Sequence, residues 1–167
     1  MIIGHLNLVS EEWTRFIFTF HMPLFFVISG MFWHPSSFKE TFLKNFRTLI
    51  IPFLIMTLIW CLYYFVCYVK GGILLRQMVP YILGSFISPG KDFLFMHQYC
   101  IYLWFLISLA VIRIFCSLIH HKVVLTLLSS VLFIIDIFLS VKGVVLPFAL
   151  DSAMLALQFF VIGFLTS

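Results

Sequence analysis

Charge is what this chain has least of. Charged residues are only 10% of the 167, with six Asp and Glu in all, against the roughly 25% of an ordinary soluble domain. That shortage excludes a water-facing globule. The ten Lys and Arg residues are scattered and do not gather into a run, which leaves no surface for a nucleic acid. The four cysteines, Cys61, Cys67, Cys100 and Cys116, show no CxxC and no Cys/His ligand spacing. This argues against both a disulfide framework and a metal site, and they read as small apolar residues. Missing too is a basic start followed by a short apolar run and a small-residue cleavage site, so the apolar segments read as permanent and not as a secretion signal.

What fills the chain is hydrocarbon. Hydrophobic residues make up 63% and mean hydropathy is +1.18, more than a core of this size hides from water. About 20 apolar residues cross a bilayer. That length divides the chain into spans at 16–33, 49–69, 101–119, 123–140 and 144–165, preceded by "MIIGHLNLV", which resembles the end of a helix. The chain is therefore all-α, a polytopic membrane helix bundle of about five full spans with a partial first helix and interfacial helices, forming one domain over 1–167 in contact with the lipid bilayer.

Two connections carry patterns of their own. In "HPSSFKETFLKNFRT", a proline and two serines end one helix and cap the next. Phe38, Phe42 and Phe46 then recur every four residues apart from Lys39, Glu40, Lys44 and Arg47, which predicts a helix in the membrane interface. The 70–100 connection holds "QMVPYILGSFI" between "KGG" and "SPGKD", a second such helix. "HHK" at 120–122 is a tight turn. Lys39, Lys44, Arg47, Arg113 and Lys122 on one side balance Arg15, Lys70, Arg76, Lys91 and Lys142 on the other, so the charge rule leaves orientation open.

Titratable groups at membrane depth are costly unless they face a partner or water. The candidates are His5, His21, Arg113, Asp136, Asp151 and Gln158. His21, Phe25 and Ser29 share one helix face with Gly30 beside them. Pro23 either kinks that helix, freeing carbonyls beside a polar cavity, or begins it and leaves His21 at the wet interface. Asp136 is expected to pair with Arg113 or with a helix beyond this chain. Asp151 is positioned to N-cap the run that follows it.

Five segments resemble, in order, landmarks of membrane acyltransferase family 3: "GH" at 4–5, "FHMPLFFVISGMF" at 20–32, "FLKNFRTLIIPF" at 42–53, "YLWFLISLAVIRI" at 102–114 and "LDSAMLALQFFVIGFL" at 150–165. The wording of the second is closest to the fucose 4-O-acetylase-like branch. The resemblance implies a bacterial inner-membrane, multi-pass enzyme. It moves an acyl group, usually acetyl from acetyl-CoA, to a sugar hydroxyl of a cell-surface or exported polysaccharide. Acetyl-CoA is then a donor substrate, and no cofactor is held permanently.

The resemblance also implies roles. His5 matches the family's catalytic histidine and suits a general base near neutral pH. The thioester oxyanion needs a donor, for which His21, Ser29 and Asn7 are candidates; His21 is taken with His5 as catalytic. Lys44 and Arg47 match the basic residues before "IP" that hold the CoA phosphates, with lysine standing where the family favours arginine. Against the family's roughly ten spans, the chain reads as truncated at both ends, without the arginine about three turns before the histidine. An inactive remnant or a non-enzymatic transporter or accessory subunit is the alternative reading.

Overall fold

A computed structural model describes residues 11–70, 75–87, 103–119 and 121–166. Among these there is no strand. The helices are α1 (Glu11–Met31), α2 (Phe38–Asn45), α3 (Ile51–Lys70), α4 (Leu75–Ile87), α5 (Trp104–Leu118), α6 (Lys122–Val141) and α7 (Leu150–Leu165). A π-helical turn, Phe46–Ile50, joins α2 to α3, and a 3-10 turn, Pro147–Ala149, leads into α7. The predicted bundle of apolar helices is what forms.

By length and hydropathy, Phe38–Cys67, Lys122–Val141 and Pro147–Leu165 are long enough to cross a membrane, while Phe20–Met31 and Trp104–Leu118 are shorter apolar helices. The exposed faces of α3 and α6 carry Leu54, Ile55, Leu58 and Ile59, and Leu127, Ile134 and Phe138. In water such surfaces would aggregate; in hydrocarbon they are solvated. α7 is the central helix. Half of its most apolar stretch is buried, against 17% for α6, and Ala156, Leu157, Phe160 and Val161 form the middle of the core with Phe26, Ile112 and Leu125.

Without a strong hydrophobic drive between helices in lipid, close packing has to hold them together. α1 and α7 meet through two glycines. A Cβ on Gly30 would collide with the Phe160 carbonyl and lie 3.0 Å from the Phe164 nitrogen, and one on Gly163 would collide with the Val27 carbonyl. Trp33 closes the same junction, edge-on to Phe160 and Phe164 at 5.8 and 5.1 Å. Ser129 Oγ, 2.9 Å from Gln158 Oε1, ties α6 to α7.

The segment from Phe38 onward differs from its expected form. Instead of an interfacial helix and a separate span, it is one helical run. Ser37 caps it through a reciprocal box: Ser37 Oγ accepts from the Glu40 N–H, and Glu40 Oε2 from the Ser37 N–H. Phe38, Phe42 and Phe46 are exposed and stacked at 6.2 and 6.4 Å, as an interfacial face requires. The buried face is Thr41, Asn45, Leu49, Phe53 and Thr57, all four residues apart. In an ideal α-helix each such step overshoots by about 40°, so four would swing the stripe to nearly the opposite side. The π turn adds one residue and takes back about 100° of that drift. Pro52, with no N–H to offer the preceding turn, favours the irregularity there.

Candidate functional site

Two cavities lie at opposite ends of the described bundle. The first, about 220 Å³, is lined by Met22, Pro23 and Phe26 of α1, Trp104 of α5, Asp136 and Ser140 of α6, and Asp151, Ser152, Leu155 and Phe159 of α7, with Val144 and Ala156. Asp136 and Asp151 are 6% and 5% exposed. Hydroxyls and carboxylates thus face an otherwise aromatic and aliphatic hollow. Asp151 is not the N-cap expected of it. The 3-10 turn starts the helix earlier, Ala149 takes the cap position, and Asp151 Oδ1 accepts from the Ser152 N–H at 2.8 Å within the favourable first turn.

The chain reaches that turn through a strained corner. Phe148 and Ala149 have φ of 58° and 52°, a left-handed conformation that costs residues with a Cβ about 1–2 kcal/mol each. Ser108 Oγ donates to the Ala149 carbonyl at 3.3 Å and pins the corner to α5.

The second pocket, about 110 Å³, is polar: Phe32, Trp33, His34 and Ser36 follow α1, Thr41, Lys44 and Asn45 come from α2, and Arg113 from α5. Asn45 Nδ2, fully buried, donates to the Ala110 carbonyl at 3.2 Å and fixes α2 against α5. Ser36 and Thr41 hydroxyls are 2.9 Å apart. A neighbouring hollow shares Trp33 and Ser36 and adds Lys122, whose ammonium sits 4.9 Å from the centre of the Phe164 ring.

The two ends follow from the helices that reach both. α1 contributes Met22 to the first and Phe32 to the second, and α5 contributes Trp104 and Arg113, nine residues or about 13 Å apart along the axis. That separation removes Arg113 from the two partners expected for Asp136. Arg113 belongs with Lys44 at one end, and Asp136 with Asp151 at the other.

Of the predicted site residues, His5 and Asn7 lie outside the described residues. His21 is half-buried on α1, next to Met22 and Pro23, but is not among the side chains lining the first cavity. Of its predicted stripe, Phe25 packs edge-on against Phe105 at 5.3 Å and Gly30 seats α7, so the cavity wall is the adjoining face, Met22, Pro23 and Phe26. Lys44 lines the cationic pocket. Arg47 is exposed in the π turn and does not line it. Sequence reasoning put Arg113 on the same side as Lys44 but did not bring the two into one pocket, because that proximity depends on the packing of α2 on α5, for which no local pattern exists.

No curated protein and no solved structure matches the chain significantly. The model of acyltransferase family 3, described as an acyltransferase domain, matches residues 1–167, and a membrane helix bundle with a cationic pocket at one end and an acidic, hydroxylated cavity at the other is the form it takes here: the chain belongs to that family.

Proposed function

We propose that this membrane acyltransferase moves an acetyl group from acetyl-CoA to a sugar hydroxyl of a cell-surface or exported polysaccharide, in a bacterial inner membrane, as a member of the fucose 4-O-acetylase-like branch. The observation that carries the reading is the chemical opposition of the two ends. A polyanionic donor suits the end bearing Lys44 and Arg113, and a polyol suits carboxylates and serines beside the rings of Trp104 and Phe159.

In this reading His5 takes the proton of the sugar hydroxyl, the oxygen attacks the thioester carbonyl, and the C–S bond breaks to release CoA, whose sulfur receives the proton. His21 donates to the developing oxyanion. Lys44 and Arg47 hold donor phosphates from the two sides of the α2–π junction.

The test is mass spectrometry of surface glycan from cells carrying the gene intact, deleted or as His5→Ala, scoring O-acetyl groups lost on mild base. Loss in both altered strains is expected. Unchanged acetylation in the deletion removes the reading, and unchanged acetylation in His5→Ala alone removes His5 from the mechanism.

A further inference from the structure

Arg113 poses a problem that the residues around it do not solve. Its Nε is buried and has no hydrogen-bond partner among the described residues, although a guanidinium carries five donors and no acceptor. It shares its pocket with Lys44 and His34, and none of the eight lining residues is a carboxylate. The nearest acid along α2, Glu40, is committed to the Ser37 capping box. Lys122 adds a third cation in the adjoining hollow.

Two cations in one small cavity repel each other, and a buried donor without an acceptor loses hydration it does not recover. An oxyanion corrects both at once. The hydroxyls of Ser36 and Thr41 line the pocket and pair with each other, which leaves one of the two a proton to donate. The volume, about 110 Å³, is well above the roughly 10–15 Å³ that one water needs, which leaves room for a phosphoryl group. The site is also rigid where it matters, since the buried Asn45 holds Ala110, one turn before Arg113, against α2.

We propose that Arg113, with Lys44, forms a binding pocket for a phosphate-type anion, in which the Arg113 guanidinium engages the phosphoryl oxygens as a fork. The anion comes either from the phosphates of the acyl donor, in which case the proposal rests on the function above, or from a phospholipid headgroup at the same interface.

The experiment is calorimetric titration of the purified full chain in neutral detergent with inorganic pyrophosphate. Saturable binding is expected, weakened about tenfold or more by Arg113→Gln, partly retained by Arg113→Lys, and weakened by Lys44→Gln, whose exposed position keeps the fold out of the question. Absence of saturable binding, or equal binding by Arg113→Gln and Lys44→Gln proteins that elute as the wild type, overturns the proposal. Displacement of pyrophosphate by coenzyme A assigns the pocket to the donor; displacement by phosphatidylglycerol but not phosphatidylcholine in nanodiscs assigns it to a headgroup. Arg113-dependent binding in a protein that transfers no acetyl group keeps the pocket and ends the enzymatic reading; transfer with no such binding does the reverse.

Discussion

Two glycines decide whether α1 and α7 can touch. Because the atoms a new Cβ would meet at Gly30 and Gly163 are main-chain atoms of the opposite helix, the clash cannot be relieved by turning a side chain. Gly30→Ala and Gly163→Ala are each expected to destabilise by about 1–3 kcal/mol, measured as a lowered thermal midpoint in detergent. An unchanged midpoint in both would mean that the helices do not pack backbone to backbone. The opposite sign is expected at the corner before α7. There Ala149 is left-handed and buried, and Ala149→Gly relieves strain of about 1 kcal/mol, raising the midpoint in the same assay. Neither effect is visible as a sequence pattern. Gly30 stood out only as the neighbour of a polar stripe, and Ala149 did not stand out at all, since backbone strain is imposed by what surrounds a residue.

At the scale of elements the sequence was more legible. Hydrophobic length placed the apolar helices to within about six residues, because the thickness of a bilayer is a constraint that each helix meets alone, but it counted five full spans where three of the described helices are long and apolar enough to cross. The serine pair after Pro35 signalled a helix start in the same local way, and Ser37 is the cap that forms. Ser37→Ala is expected to cost about 1 kcal/mol, read as a lower unfolding midpoint with helix content unchanged; no shift would mean that the run from Phe38 is held by its packing alone. The π turn was legible in principle. Thr41, Asn45, Leu49, Phe53 and Thr57 keep a spacing of four that no regular α-helix turns into one buried face, but that signal becomes evident only when polar Thr41, Asn45 and Thr57 are counted with the apolar positions. The pairing of Arg113 with Lys44 was beyond any local reading, since it needs two helices about 65 residues apart in sequence to be docked.

Over the whole molecule, the proposed function requires the two cavities to open toward different membrane faces. In a background without Cys61, Cys67, Cys100 and Cys116, single cysteines at Ser36 and Ser140 are expected to react with a membrane-impermeant maleimide from opposite sides of oriented vesicles. Labelling of both from one side would refute the two-ended arrangement. The close fit of α1 to α7 has a further consequence, in time. Gly30 is made early and its seat at Phe160 is 130 residues later. At about 5–20 residues per second, a nascent chain spends on the order of ten seconds with that bare notch uncovered. During this interval the notch is open to whatever other helix drifts past in the membrane, so the last described helix to be synthesised is the one that settles where the first belongs.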